Sequence, residues 1–380
     1  MSPSTQDIKE DLILDTRIIP QNTRKPGVYM GFNTTLALSG LPANSQRICF
    51  ITPITSKSLS AAKPLDLVRV FSEAEALDAF GPAAAEMVSH ALQTSRSASI
   101  HIIGVATEPE KTPSIAAALE VLLGVDMEIV VSSWMDEASL SDLRKHIDIA
   151  TDATHQRSRI GVAASVSSQS AASATAAKLN SGAITLACLP RAGNAAIAVA
   201  AAYAAALAAE DDPSRPMNTV TLPSLAAPAV AFRMSRSEQE AALANGVTPL
   251  EVGPGETVQI VRAISTYTKS PTNTSDTSLL DITTIRSLYY VREACRSRLR
   301  LRFPRAKLSS STATKVRSEI LDVLRKCADD KVAILKNVDA HAEHLIVESA
   351  NDGTGRLRAT IPADIVEGLH VIDATIDLYL

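Results

Sequence analysis

The side chains of this 380-residue chain most able to do chemistry are seven histidines, four cysteines and a dense run of arginines. His341 and His344, in VDAHAEHLIV, are three apart and would share a helical face as metal ligands, but no third ligand accompanies them. The SVSSQS run at 165–170 could present a nucleophile at a strand end. G-x-S-x-G is absent, however, and serine-rich loops commonly cap helices. Cys49, Cys188, Cys295 and Cys327 form no C-x-x-C pair, which argues against zinc, iron–sulfur or thioredoxin-like chemistry. Buried free thiols are the plain reading, with disulfides between subunits of an assembly as the alternative. No catalytic, metal or cofactor site is expected, and so no enzyme.

The most charged stretch, 286–307, carries Arg286, Arg292, Arg296, Arg298, Arg300, Arg302, Arg305 and Lys307 against Glu293. A nucleic-acid surface would add stacking aromatics among them, whereas Tyr289 and Tyr290 lie at the other end. A solvated or internally paired face and a contact with an acidic protein both remain open. Over 312–327 the polar stripe is Lys315, Ser318, Glu319, Asp322, Arg325 and Lys326, a mixed surface that could guide loose docking. The net charge of −4 recruits neither nucleic acid nor acidic membranes as a whole.

These residues are positioned by a regular alternation. RICFIT (47–52), SIHIIGVA (99–106), MEIVVSS (127–133), RIGVAAS (159–165) and AITLACL (183–189) are short apolar runs that predict buried strands. Helical patterns over 83–93, 113–124, 138–150, 168–180 and 195–209 separate and close them. Continuous apolar strands alternating with helices predict a mostly parallel, doubly wound α/β sheet layer covered on both faces. The alanine-rich 195–209 is too short to span a bilayer and reads as a closely packed soluble helix. No nucleotide-binding glycine motif occurs, and the polar, acidic amino end does not resemble a secretory signal.

After a proline-rich stretch (213–228) and a short helix (235–246) comes a hairpin around Gly253-Pro254-Gly255. Two amphipathic helices follow, one carrying the arginines and one over 312–327 with Thr312 placed to cap it. Both ends of the chain read as strands without partners. In TRKPGVYMGFNTT, Pro26-Gly27 make a turn before the alternating Val28, Met30 and Phe32. In LHVIDATIDLYL (369–380), Ile372, Ala374, Ile376 and Leu378 share one face.

Several of these segments together resemble the contractile tail sheath proteins of Mu-type bacteriophages. They are TRKPGVYMGFNTTLALSGLPANSQRICFIT, MSRSEQEAALANGVTPLEV with VQIVRAISTYT, LLDITTIRSLYYVREACRSRLRLRFPRAKL and the closing LHVIDATIDLYL. The resemblance implies an amino-terminal arm with its first strand (1–45), an outer α/β domain (46–250) and a smaller inner α+β domain (251–380). The inner domain would be completed by amino- and carboxy-terminal strands shared between subunits. It further implies stacked hexameric rings around a tail tube, contraction without nucleotide hydrolysis, and contacts with tube, baseplate and tail terminator proteins. No cofactor, direct nucleic acid or membrane partner is implied. The implied setting is the virion tail, assembled in the host bacterial cytoplasm. Lys315, Arg325 and Lys326 are the tube-facing candidates; Pro26, Gly27, Val28, Met30, Phe32, Ile372, Ala374, Ile376 and Leu378 are the strand-donating ones. A doubly wound enzyme or small-molecule binder without a recognisable motif is the rival reading.

Overall fold

The apolar runs pair as their continuity predicts. The computed structural model describes residues 41–44, 46–58, 61–107, 114–309, 311–350 and 354–377, and from Ala43 onward these form one unit. Strands β1 (Arg47–Ile54), β2 (Leu67–Val70), β3 (Ser99–Ala106), β4 (Ile129–Ser132), β5 (Ile160–Ser165), β6 (Ile184–Cys188), β7 (Thr248–Val252) and β8 (Val258–Ile260) make one sheet. Its order is β2-β3-β1-β4-β5-β6-β7-β8, parallel from β3 to β7 and antiparallel at both edges. β1 therefore lies between β3 and β4, with the chain wound outward from it in both directions.

Alternation along β1 sorts its side chains into two cores, because successive residues of a strand face opposite ways. Ile48 and Phe50 pack with α2 (Pro82–Thr94) and α6 (Ala196–Ala209), while Cys49 and Ile51 pack with α3 (Ala116–Leu122), α4 (Glu137–Thr151) and α5 (Gln169–Leu179). The alanine-rich α6 is buried from Ala198 to Leu207, and its small side chains let α2 approach closely. Tyr203 is the one polar side chain in that run. Its hydroxyl lies 2.9 Å from Thr185 Oγ1, which donates to the Ile264 carbonyl at 2.7 Å, so the buried polar group is satisfied. Among the described residues no helix is long and apolar enough to cross a membrane.

Helix starts follow local chemistry. Ser72 caps α1 (Glu73–Ala79), Asp136 caps α4, Ser168 caps α5, and Ser235 with Glu238 forms a capping box on α7 (Arg236–Ala244). Arg159, fully buried, donates to the Leu122 and Val125 carbonyls at the end of α3 and lies 2.7 Å from His146 Nε2. That nitrogen must accept, so His146 is neutral there. Burial and the guanidinium push its pKa down to about 3.

The NGVTPL stretch shows how one motif carries several tasks. Gly246 adopts φ +74° and a Cβ there would lie 2.9 Å from the Thr266 carbonyl oxygen. Val247 enters the core, and Thr248 Oγ1 accepts from Ile264 N at 3.0 Å. Gly246→Ala is therefore expected to cost about 1–3 kcal/mol in a urea unfolding series, since both the backbone and the neighbour resist. A loss below about 0.5 kcal/mol would mean the turn relaxes freely.

The hairpin forms as predicted, and its strands β7 and β8 complete the large sheet. One expectation is corrected. Thr312 does not cap the helix after it. It is the first residue of α9 (Thr312–Cys327), and its hydroxyl braces the preceding loop by donating to the Lys307 carbonyl at 2.9 Å. α9 packs on α8 (Ile282–Arg302) and beside the two-stranded sheet of β9 (Ile346–Ser349) and β10 (Leu357–Thr360).

Candidate assembly interface

The chain's carboxy-terminal stretch is held to the body up to residue 370 and then leaves it. Ile365 bridges Leu335, Lys336 N donates to the Asp364 carbonyl at 2.8 Å, and Val366 N donates to Ile334 O at 3.1 Å. Beyond them, residues 371–377 are exposed and belong to no strand. Val371 is 71% exposed, Ile372 78% and Ile376 96%, values that an apolar strand face does not sustain in water. The half-buried strand expected over 369–380 is thus not paired within this subunit over its described part. Ile372, Ala374 and Ile376 lie on this exposed stretch. Leu378 lies outside the described residues, as do Pro26, Gly27, Val28, Met30 and Phe32 of the amino-terminal run.

The arginines of α8 point largely inward. Arg286 donates to the Leu207 and Glu210 carbonyls at 3.0 and 2.8 Å, at the carboxyl end of α6. Arg292 reaches the Thr151 carbonyl at 2.7 Å and Ser158 Oγ at 2.6 Å, with its guanidinium over the Tyr289 ring. Arg296 donates to the Gln156 carbonyl at 2.6 Å and pairs with Glu293. Arg298, buried, bridges Glu319 and Asp322 of α9 at 3.2 and 3.0 Å. Arg302, though exposed, reaches Glu319 at 3.4 Å, so the internally paired reading describes most of this run, and Arg300, Arg305 and Lys307 are also exposed.

On α9, pairing with α8 removes Glu319 from the free polar stripe. Lys315 is exposed, Arg325 pairs with Asp339 at 2.8 Å, and Lys326 pairs with Asp322 at 2.8 Å one turn away. Exposed pairs of this kind are worth about 0–1 kcal/mol each, so they can be exchanged for others at little cost.

The remaining chemical candidates settle into structural roles. Cys49, Cys188, Cys295 and Cys327 are all free and buried. Burial pushes the first three thiols up to about 12 and Cys327 up to about 11, far from the reactive thiolate range. A disulfide between subunits would require these sulfurs to surface. The serine run caps α5 through Ser168, whose Oγ accepts from Ala171 N at 3.3 Å. His341 faces Asp364 at 3.6 Å, and its ring lies 6.1 Å from that of His344. Among the described residues no group of three or more His, Cys, Asp or Glu could hold a metal. Sequence reasoning missed His370, whose ring reaches Asn218 and Asp281. Only their sequence separation hid it, because no local pattern links positions 218, 281 and 370.

Known proteins match this arrangement. The chain matches the phage tail sheath protein central domain over residues 108–266 and the phage tail sheath C-terminal domain over residues 274–378. The junction between the matches, at 266–274, lies after β8 and before α8, where the sheet ends. The Mu-like prophage FluMu tail sheath protein of Haemophilus influenzae is 27% identical over 194 residues, covering 48% of this chain and 39% of the relative. Less than half of that relative's length is thus matched.

Among solved structures, the anti-feeding prophage baseplate, six-fold symmetrised, contains a chain superposing with TM-score 0.63 at 14% identity, over 94% of this chain and 100% of that one. The helical sheath of the same prophage in the contracted state gives 0.63 at 16%, over 93% and 99%. A sheath tail protein from Desulfitobacterium hafniense gives 0.60 at 13%, over 85% and 93%. These likenesses show a shared fold. Together the two family matches span more than half of the chain, and the chain belongs to the phage tail sheath protein family.

Proposed function

We propose that this protein is the structural subunit of a contractile tail sheath. It polymerises as stacked hexameric rings around the inner tail tube and contracts without nucleotide hydrolysis, driving the tube through the host envelope. The observation that carries this reading is the exposed 371–377 segment, with Ile372 and Ile376 on one face of a strand-patterned stretch that pairs with no strand among the described residues of its own subunit. Such a segment is satisfied by adding to a sheet edge of another copy, where backbone hydrogen bonds give affinity and alternate side chains give register. Because donor and acceptor are different patches, the contact propagates instead of closing as a pair. Membership of the sheath family and the six-fold setting of one structural relative support a ring as the repeating unit.

The amino-terminal run with Pro26, Gly27, Val28, Met30 and Phe32 serves as a second donated strand. The energy of contraction resides in a metastable extended packing, with the arm roots as hinges. The inner domain (251–380) faces the tube. Lys315, Arg325 and Lys326 of α9 are its tube contacts. The baseplate and terminator proteins engage the ends of the polymer, which forms part of the virion tail and is assembled in the host cytoplasm.

The rival enzyme reading finds a pocket of about 190 Å³ at the carboxyl ends of β6 and β7, lined by Leu189, Phe232, Arg233 and Glu251 among others. That is below the roughly 300–1,000 Å³ of ordinary ligand sites. Sedimentation of the purified chain separates the two readings: the sheath predicts large polymers, whereas the enzyme predicts a discrete monomer or dimer that binds a ligand. Reversing charge at Lys315, Arg325 and Lys326 is expected to block co-assembly with tube protein. Intact co-assembly would remove α9 from the tube surface.

A further inference from the structure

Within residues 369–377 only His370 is drawn inward, its side chain 15% exposed between neighbours that are open to solvent. The ring is held on two sides. Asn218 Nδ2 lies 3.1 Å from His370 Nδ1 and 3.4 Å from the Leu369 carbonyl, so one amide group can donate to both. His370 Nδ1 also lies 3.2 Å from Asn218 Oδ1, so the Asn218 amide meets the ring in either tautomer, and buried Nε2 faces Asp281 Oδ1 at 3.5 Å. Asp281 is itself fixed, accepting from Arg262 Nε and Nη2 at 2.8 Å each. Just upstream, a Cβ at Gly368 would lie 2.6 Å from the Pro216 ring, so the backbone passes hard against the body there. The preceding attachments are Val366 N to the Ile334 carbonyl and Lys336 to Glu367 at 3.4 Å.

We propose that His370 is a clamp that fixes the root of the carboxy-terminal arm, so that the arm offered to a neighbouring subunit begins at residue 371. The proposal rests on the strand-exchange reading above and adds to it the residue that sets the arm's reach. Without the clamp the arm would leave from about residue 367, and four more extended residues would lengthen it by about 13 Å. A longer tether lowers the effective concentration of the arm at its acceptor. It also weakens register, and a slip of one residue would turn the Ile372, Ala374, Ile376 face outward.

The test uses the full-length protein as wild type, His370→Ala and His370→Gln, leaving Asp281 intact because it also holds Arg262. Amide hydrogen exchange is followed over residues 366–370 below the assembly concentration, and the concentration for half-assembly is read by light scattering. His370→Ala is expected to speed exchange over 366–370 about ten-fold or more, with the unfolding midpoint of the body unchanged. It should also raise the half-assembly concentration several-fold. His370→Gln, whose amide can still meet Asn218, should recover most of both effects. Unchanged exchange in His370→Ala, or faster exchange with wild-type assembly, would overturn the clamp while leaving strand exchange standing. A wild-type protein that never assembles would instead overturn the strand-exchange reading, and the clamp's assembly role with it.

Discussion

Deleting residues 371–380 is expected to abolish polymerisation and leave the body folded. Residues 371–377 are exposed and belong to no strand of their own subunit, so their removal should change the unfolding free energy by no more than about 0.5 kcal/mol. The loss to assembly is of another size. Burying each of Ile372 and Ile376 in a neighbour is worth about 1.5–3 kcal/mol. Each backbone hydrogen bond of an added strand contributes about 0.5–1.5 kcal/mol more. Even after the ordering cost, a deficit of about 5 kcal/mol at each contact weakens it on the order of 10³–10⁴-fold. Ile376→Asp should reproduce most of this, since it buries an unpaired carboxylate in the shared layer without shortening the chain. Circular dichroism melts and light scattering on the same samples check both halves of the expectation.

The second large effect is expected in the body itself. Arg286→Ala should lower its stability by about 3 kcal/mol, read from urea unfolding, because it strands two buried acceptors and removes a long buried stem. The acceptors are the Leu207 and Glu210 carbonyls, in and just after the last turn of α6. Burial lowers the guanidinium pKa to about 10, so the group still carries its charge at neutral pH. Arg286→Met should cost less than Arg286→Ala, since it keeps the apolar stem and removes the desolvated charge. Arg286 sits on α8 and its acceptors on and just after α6, so this one residue ties the region matching the C-terminal family domain to the one matching the central domain. A loss below about 1 kcal/mol for the alanine variant would mean that the α6 terminus finds other donors.

The core of the fold was legible because its strands are buried on both faces. Runs such as CFI in β1 and IVV in β4 have no other stable placement than a covered parallel sheet. β2, α1 and β10 were not anticipated. β2 is a four-residue edge strand, LVRV, with a charge inside it, too short for its period to stand out. The inward arginines were hidden for a different reason. An apolar stripe of Ile285, Leu288, Val291, Cys295 and Leu299 marks one face of α8, yet Arg286, Ser287 and Arg298 are buried as well. Their partners are carbonyls and carboxylates far away in the chain, which composition and spacing do not reveal. The unpaired apolar arm, by contrast, was visible directly. Its alternation extends through residues 371–377, which no described part of the subunit covers, and the proposal of a second copy as its partner starts from that exposure.

Negative-stain electron microscopy of the purified full-length protein tests the central claim most directly. The account predicts tubes or stacked rings with six-fold end views, absent from the same preparation lacking residues 371–380. Uniform single particles of 40.2 kDa at every concentration tried would contradict it.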